Sequence, residues 1–227
     1  MADPSTVYAA THVERAALAD DLAGLTDAQW ATTSLSDRWT VEETVAHLTA
    51  AASIGPWRWV RSVLGARFDF DLHNDRRLAE HCGATPAETL ARFRAVRDST
   101  TSTWGPKAAW LGEVVIHGED IRRPLGLVRT PPVETTTTVA EFVASRDFTV
   151  GGKTVSEGLR LEATDGPFAV GDDPLVTGPT LSLVMVMAGR AAHLDDLDGP
   201  GVATLRSRIR GRPLENPASR TPPREAP

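Results

Sequence analysis

Lysine is almost missing from this chain. Lys107 and Lys153 are the only two, so arginine supplies nearly all of the 24 basic residues set against 30 acidic ones. The resulting net charge of −6 leaves no basic excess to neutralise phosphates, which argues against a general nucleic-acid binder. Cysteine is scarcer still: Cys82 stands alone, which excludes an internal disulfide and points to a reducing cytoplasm. No apolar run approaches the ~20 residues of a membrane span; the most apolar, LSLVMVMAG at 181–189, stops far short. The opening stretch, MADPSTVYAATHVERAALADDL, lacks the apolar centre of a signal peptide. A soluble cytoplasmic protein is expected, without membrane or nucleic-acid partners. Arginine in place of lysine, with abundant Ala, Thr and Gly, hints at a GC-rich bacterial genome.

What is present is ordinary globular material, 41% hydrophobic and 24% charged, over a length that allows one large or two small domains. The stretch THVERAALADDLAGLT (11–26) has apolar residues at helical spacing through Val13, Ala17, Leu22 and Leu25. TVEETVAHLTAAAS (40–53) opens with a Thr40/Glu43 capping box and carries Val41, Val45 and Leu48 as its stripe, with His47 on the edge. HNDRRLAEHCGA (73–84) suggests a short helix. Thr85, Pro86 and Glu88 start a clearer one. Pro106 starts a fourth good helix, which Pro124 and Gly126 are expected to stop. Four helices in residues 1–130 predict a four-helix bundle. After TPPVETTTT the character changes. A short helix, VAEFVASRD, precedes two strands about an Asp165-Gly166 turn, then a helix from Pro179 and a last helix in GPGVATLRSRIR. The fold class expected is therefore mainly α and multi-domain, with a smaller α+β domain at 131–212 and a disordered tail at 213–227.

One stretch carries chemistry. In WLGEVVIHGEDIRRPLG (110–126), Trp110, Glu113, Val114, His117 and Ile121 share one helical face, and its apolar members predict that this face looks inward. An inward carboxylate and imidazole need partners, because unpaired buried charge is costly. Spacing alone fits surface electrostatics as well, worth a few tenths of a kcal/mol. His47, on another helix, makes the alternative stronger: two imidazoles and one carboxylate with an open position suit a catalytic zinc ion, and bundle cores are common places for such ligands.

RWTVEETVAHLTA followed by WLGEVVIHGEDIRRPLG resembles the mycothiol-dependent maleylpyruvate isomerase family of actinobacteria. LRLEATDGPFAVGDDPLVTGP and MAGRAAHLDDLDGPGV resemble that family's small C-terminal domain. The likeness implies a DinB-like metal-binding bundle, zinc held by His47, Glu113 and His117, and mycothiol as thiol cosubstrate. It also implies that Arg190 could meet an anionic substrate or thiol across the domain cleft, in place of a plain helix-end arginine. Ser36 and Arg38 depart from the Cys and Gly that family members often carry there, which touches the cap or the entrance but not the ligands.

Asp120, one turn beyond His117, is a candidate to support or polarise the centre, or else bonds Arg123 or the backbone at the helix end. Arg122 and Arg123 suit the helix dipole. His12, His73, His81 and His193 lack paired ligand spacing, and Asn74 is a weak candidate. Cys82 reads as packing, and Trp39, Trp57, Trp59 and Trp110 as core or pocket wall. The expected activity is attack of a zinc-bound thiolate on an electrophilic small molecule, by isomerisation of the maleylpyruvate type or by thiol transfer. Two alternatives stand beside it: hydrolysis by zinc-activated water with Asp120 or Glu119 as base, and a binding module without turnover. The donor set suits zinc, with nickel, cobalt or iron able to occupy it; a monomer or homodimer is expected.

Overall fold

A computed structural model describes residues 3–36, 39–53, 78, 80–101, 105–147 and 150–210. The expected tail, Trp57, Trp59, His73, Asn74 and Arg38 lie outside these residues. The first part is a four-helix bundle built from α1 (Pro4–Asp21), α3 (Val41–Ser53), α4 (Pro86–Ala95) and α5 (Lys107–Leu125), with a short α2 (Asp27–Trp30) between the first two. Helix α1 packs on α5 and α4, and α3 packs on α4 and α5, so each long helix has two neighbours. Leu18, Leu22, Trp30, Val41, Val45, Leu48, Leu90, Phe93 and Ile121 fill the space between them.

Local sequence sets the ends of these helices. Thr40 N–H and Oγ1 donate to Glu43 Oε2 at 2.8 and 3.1 Å, and Glu43 N–H returns a bond to Thr40 Oγ1 at 3.2 Å, completing the expected box. Thr85 caps α4 by accepting from Glu88 N–H. Helix α5 runs through Pro124 and stops at Gly126, whose φ of 67° only glycine adopts without strain. Proline removes one internal hydrogen bond but does not end the helix here, because the packing around the preceding turns holds it. Of the HNDRRLAEHCGA segment, Leu78, Glu80 and His81 are helical.

The stripe on α1 is not the one read from apolar spacing. Val13 is exposed, whereas Glu14 and Arg15 are buried. Arg129 clamps Glu14 through both oxygens at 2.8 and 3.0 Å, and Arg15 donates to Ser99 O at 2.9 Å. One ion-paired carboxylate and one hydrogen-bonded guanidinium thus occupy core-facing positions, which shifts the apparent phase of the helix.

The second part begins with α6 (Val133–Ser145), longer than its apolar portion because the threonine run at 135–138 joins it. After α7 (Gly152–Ser156), strands β1 (Arg160–Ala163), β2 (Ala169–Val170) and β3 (Leu175–Gly178) form a sheet of order β2-β1-β3. β1 pairs antiparallel with β2 about the expected turn and parallel with β3, in the register Leu161 to Val170 and Leu161 to Val176. β3 is a strand that spacing did not predict: four residues between Pro174 and Pro179 are too few for alternation to show. The buried helix α8 (Thr180–Met187), a 3₁₀ segment at Ala191–Asp196 and α9 (Val202–Arg210) are the last described elements. Leu161, Val176, Leu183 and Met185 pack in one core with Val139 and Val143 of α6 and with Leu111, Val114 and Val115 of α5. Helix α5 therefore belongs to two cores, the bundle's through Ile121 and the α+β half's through its first turns. Among the described residues, no helix is long and apolar enough to cross a membrane.

Candidate metal centre

Because α5 is shared, it is buried nearly all round. From Leu111 to Arg122 every residue is buried except Glu113 and His117. On α3, every residue from Thr44 to Ala50 is buried except His47. The Glu113/His117 face is thus the one unsealed strip of an otherwise enclosed helix, not its most apolar face. His47 looks onto the same strip. The three side chains keep 21, 22 and 13% of their surface for His47, Glu113 and His117, enough for a small molecule to approach and too little for free solvation.

They converge. Glu113 Oε2 lies 3.2 Å from His47 Nε2 and 3.4 Å from His117 Nε2. One candidate ligand atom from each residue lies within 4.8 Å of the other two. The imidazole centroids are 4.9 Å apart and edge-on. Among the described residues no other group of three His, Cys, Asp or Glu side chains converges in this way.

A second layer supports them. Asp120, fully buried, takes His117 Nδ1 at 3.0 Å. Arg190 then donates to both oxygens of Asp120, from Nε at 2.9 Å and from Nη2 at 2.6 Å. Arg190 reaches across from the α+β half because α8 ends at Gly189 with φ of 90°. There Gly189 N–H donates to Val186 O and Arg190 N–H to Met185 O, both at 2.9 Å, the paired bonds of a Schellman ending. Helix α8 is thereby closed, and the chain turns toward α5. Asp120 thus bonds His117 and Arg190, while Arg123 bonds Asp196 and not Asp120.

The charges follow. Burial works to lower the His117 pKa, but hydrogen bonds with Asp120 and Glu113 outweigh it and lift it to about 9. Burial would raise that of Asp120, yet the Arg190 guanidinium and then His117 hold it at about 2. Glu113 is held well below the usual carboxylate range, against burial, by His117 and His47. The donors fit a divalent cation: Asp120 occupies His117 Nδ1 and so leaves Nε2 beside Glu113, the tautomer and orientation a ligand imidazole needs.

The remaining candidates fall elsewhere. His12 Nε2 bonds Ser99 O at 3.3 Å, and Arg122 is buried against Asp21 at 2.7 Å. Burial, then Glu42 and Glu43, push the Cys82 thiol up, away from nucleophile chemistry. His193 is buried, which its spacing did not predict. It sits with Ser182, Asp196 and Glu119 between α5 and the α+β half, 3.6 Å from Glu119 and 3.2 Å from Asp196. Its one sequence signal is the i,i+3 pairing with Asp196 in AAHLDD.

The bundle presents two imidazoles and a carboxylate from facing helices, backed by Asp120 of α5 and by Arg190 of the α+β half, an arrangement that could hold a metal ion within a helical protein. The family follows from comparison. The model of the mycothiol maleylpyruvate isomerase N-terminal domain matches residues 11–137, more than half of the chain, and the chain belongs to this family. Two solved structures are similar in fold: the mycothiol-dependent maleylpyruvate isomerase, at 17% identity, and a histidine-to-alanine mutant of it, at 16%. Each has a TM-score of 0.57 and covers 88% of this chain and 93% of its own, which carries the likeness into the α+β half. No curated protein sequence matches.

Proposed function

We propose that this protein is a metal-dependent enzyme that uses a low-molecular-weight thiol, mycothiol by family, on an electrophilic small molecule. The observation that carries the reading is the convergence of His47, Glu113 and His117 on one partly open strip, with Asp120 and Arg190 behind it. His47, Glu113 and His117 would hold the cation, zinc being the ion this donor set suits best. When bound, such a cation supplies positive charge that favours the thiolate over the thiol. Asp120 keeps His117 in the tautomer with Nε2 free, and Arg190 keeps Asp120 ionised. Apart from Glu113 and His117, residues 111–122 of α5 are buried away from bulk water.

Isomerisation is addition of the thiolate to a conjugated double bond, rotation about the single bond so formed and loss of the thiolate, and transfer stops at addition; the same residues would serve both. Arg190 is proposed to act through Asp120, with any contact to substrate or thiol secondary to that ion pair. Among the described residues, the two bases considered for hydrolysis are engaged elsewhere. Asp120 is committed to His117 and Arg190, and Glu119 lies against His193, away from the strip. In domain terms the bundle supplies the ligands and residues 131–212 supply Arg190.

The test is metal content by elemental analysis on untagged wild type and His117→Ala, followed by turnover of maleylpyruvate with and without mycothiol. About one zinc per chain, absent from the variant, with thiol-dependent turnover, is expected. A wild type that takes up no metal, or turnover indifferent to thiol, defeats the reading.

A further inference from the structure

The two imidazoles of the centre are held by different means. His117 is fixed at Nδ1 by Asp120. His47 makes its one hydrogen bond among the described residues through Nε2, to Glu113. A ring held at one atom can still turn about that contact. What lies against it is an indole: the Trp39 ring is 4.6 Å from the His47 ring at 30°, and 6.0 Å from the His117 ring at 51°. Rings at such separations are in packing contact.

Trp39 is itself tied to both helices that carry the centre. Ser34 N–H and Oγ each donate to Trp39 O at 2.9 Å, and Thr44 of α3 donates from Oγ1 to Ser34 Oγ at 3.0 Å. The tie to α5 comes from Pro124. Proline has no N–H, so the carbonyl four residues earlier, that of Asp120, lacks its usual helical donor. Leu35 N–H donates to that carbonyl instead, at 2.9 Å. An interruption inside α5 thus becomes the anchor for the loop that carries Trp39, at the residue whose side chain orients His117.

We propose that Trp39 is a positioning residue of the centre, setting the His47 ring as Asp120 sets the His117 ring, and that Pro124 frees the carbonyl that keeps it in place. This rests on the reading of His47, Glu113 and His117 as metal ligands. Co(II) is the probe, since its affinity and visible spectrum report ligand geometry without turnover. Titrations of the full chain, wild type against Trp39→Leu, Trp39→Phe and Pro124→Ala, are compared with circular dichroism as a check on folding.

Trp39→Leu, which keeps much of the volume but no ring plane, is expected to weaken Co(II) binding by about tenfold or more, within the range for residues that orient ligands. Its spectrum shifts as well, and Trp39→Phe recovers most of both. Pro124 is exposed, so Pro124→Ala folds even where Trp39→Leu does not. Its restored N–H competes for the Asp120 carbonyl, and binding weakens severalfold with a shifted spectrum. Wild-type affinity and spectrum in Trp39→Leu, or in Pro124→Ala, overturn the proposal. A wild type that binds no Co(II) defeats the metal reading itself, a result distinct from an intact wild type with indifferent variants.

Discussion

Helix α5 contributes acids to two acid–imidazole groups within eight residues, and only one of the groups converges. Glu113 and His117 meet His47 on the open strip, with the buried Asp120 behind His117. Glu119, one position before Asp120, faces His193 and Asp196 at the contact with the α+β half. The second group is as rich in titratable side chains, yet His193 Nε2 is buried without a hydrogen-bond partner and its His, Asp and Glu side chains do not bring three ligand atoms together. Burial, then the positive charge of Arg123, lowers the His193 pKa, whereas that of His117 is raised to about 9. The same residue types become either a centre or an interface according to convergence and access. A helix turn of 100° per residue decides which.

The largest expected effect separates the two directly. Glu113→Ala removes a charged donor from the centre of the cluster, and zinc uptake should disappear in elemental analysis with turnover lost alongside. Glu119→Gln, six residues on, should keep near-stoichiometric zinc. Loss of zinc in both would dissolve the distinction.

Asp120→Asn probes the supporting layer at a smaller magnitude. It keeps the shape but removes the charge that holds His117 and pairs with Arg190, and metal affinity is expected to fall by about 10- to 100-fold. A competition titration against a chromophoric chelator reads this, and an unchanged affinity would reduce Asp120 to packing.

The fold was legible where a rule is local. The Thr40/Glu43 box, the Thr85 cap, the Asp165-Gly166 turn and the helix from Pro179 all depend on residues within a few positions of one another. Where long-range pairing decides, the reading failed: buried Glu14 and Arg15 find partners at Arg129 and Ser99, far along the chain, and so displaced Val13 from the stripe. The site divides in the same way. Glu113 and His117 show by i,i+4 spacing, and His47 by its place on the edge of another helix's stripe, with the family resemblance pointing to the same three. The bidentate Arg190–Asp120 contact spans 70 residues, so it shows only once the halves pack. Pro124 reads as a stop signal until the Leu35 N–H is seen on the carbonyl it leaves open.

The pH response of the centre gives a third test. In the metal-free protein His117 keeps its proton up to about 9, so the cation must displace that proton at neutral pH. Apparent zinc affinity should rise about tenfold per pH unit up to about pH 9 and then level, with one proton released per ion. Stability of the metal-free form runs the other way. A pKa raised from 6.5 to about 9 stabilises fully below 6.5, and that contribution is lost as pH rises through 9. Thermal melts of apo and zinc-loaded protein at pH 6.5 and 9.5 should therefore diverge. Parallel melts would contradict the pairing of His117 with Asp120 and Glu113.

The smallest effect lies at the sealed group. Burial raises the Glu119 pKa from 4.5 to about 7, partly opposed by Arg122 and Arg123. With the folded value above the ordinary one, its favourable contribution is complete below about 4.5 and is lost as pH rises through about 7. Glutamine cannot ionise, so Glu119→Gln should gain thermal stability over wild type at pH 8 and little or none at pH 5, with zinc content unchanged at both. An equal shift at the two pH values would mean that side-chain shape, not charge, governs this contact. A pH-dependent loss of zinc would mean that the interface and the centre, on different faces of one helix, titrate as a single unit.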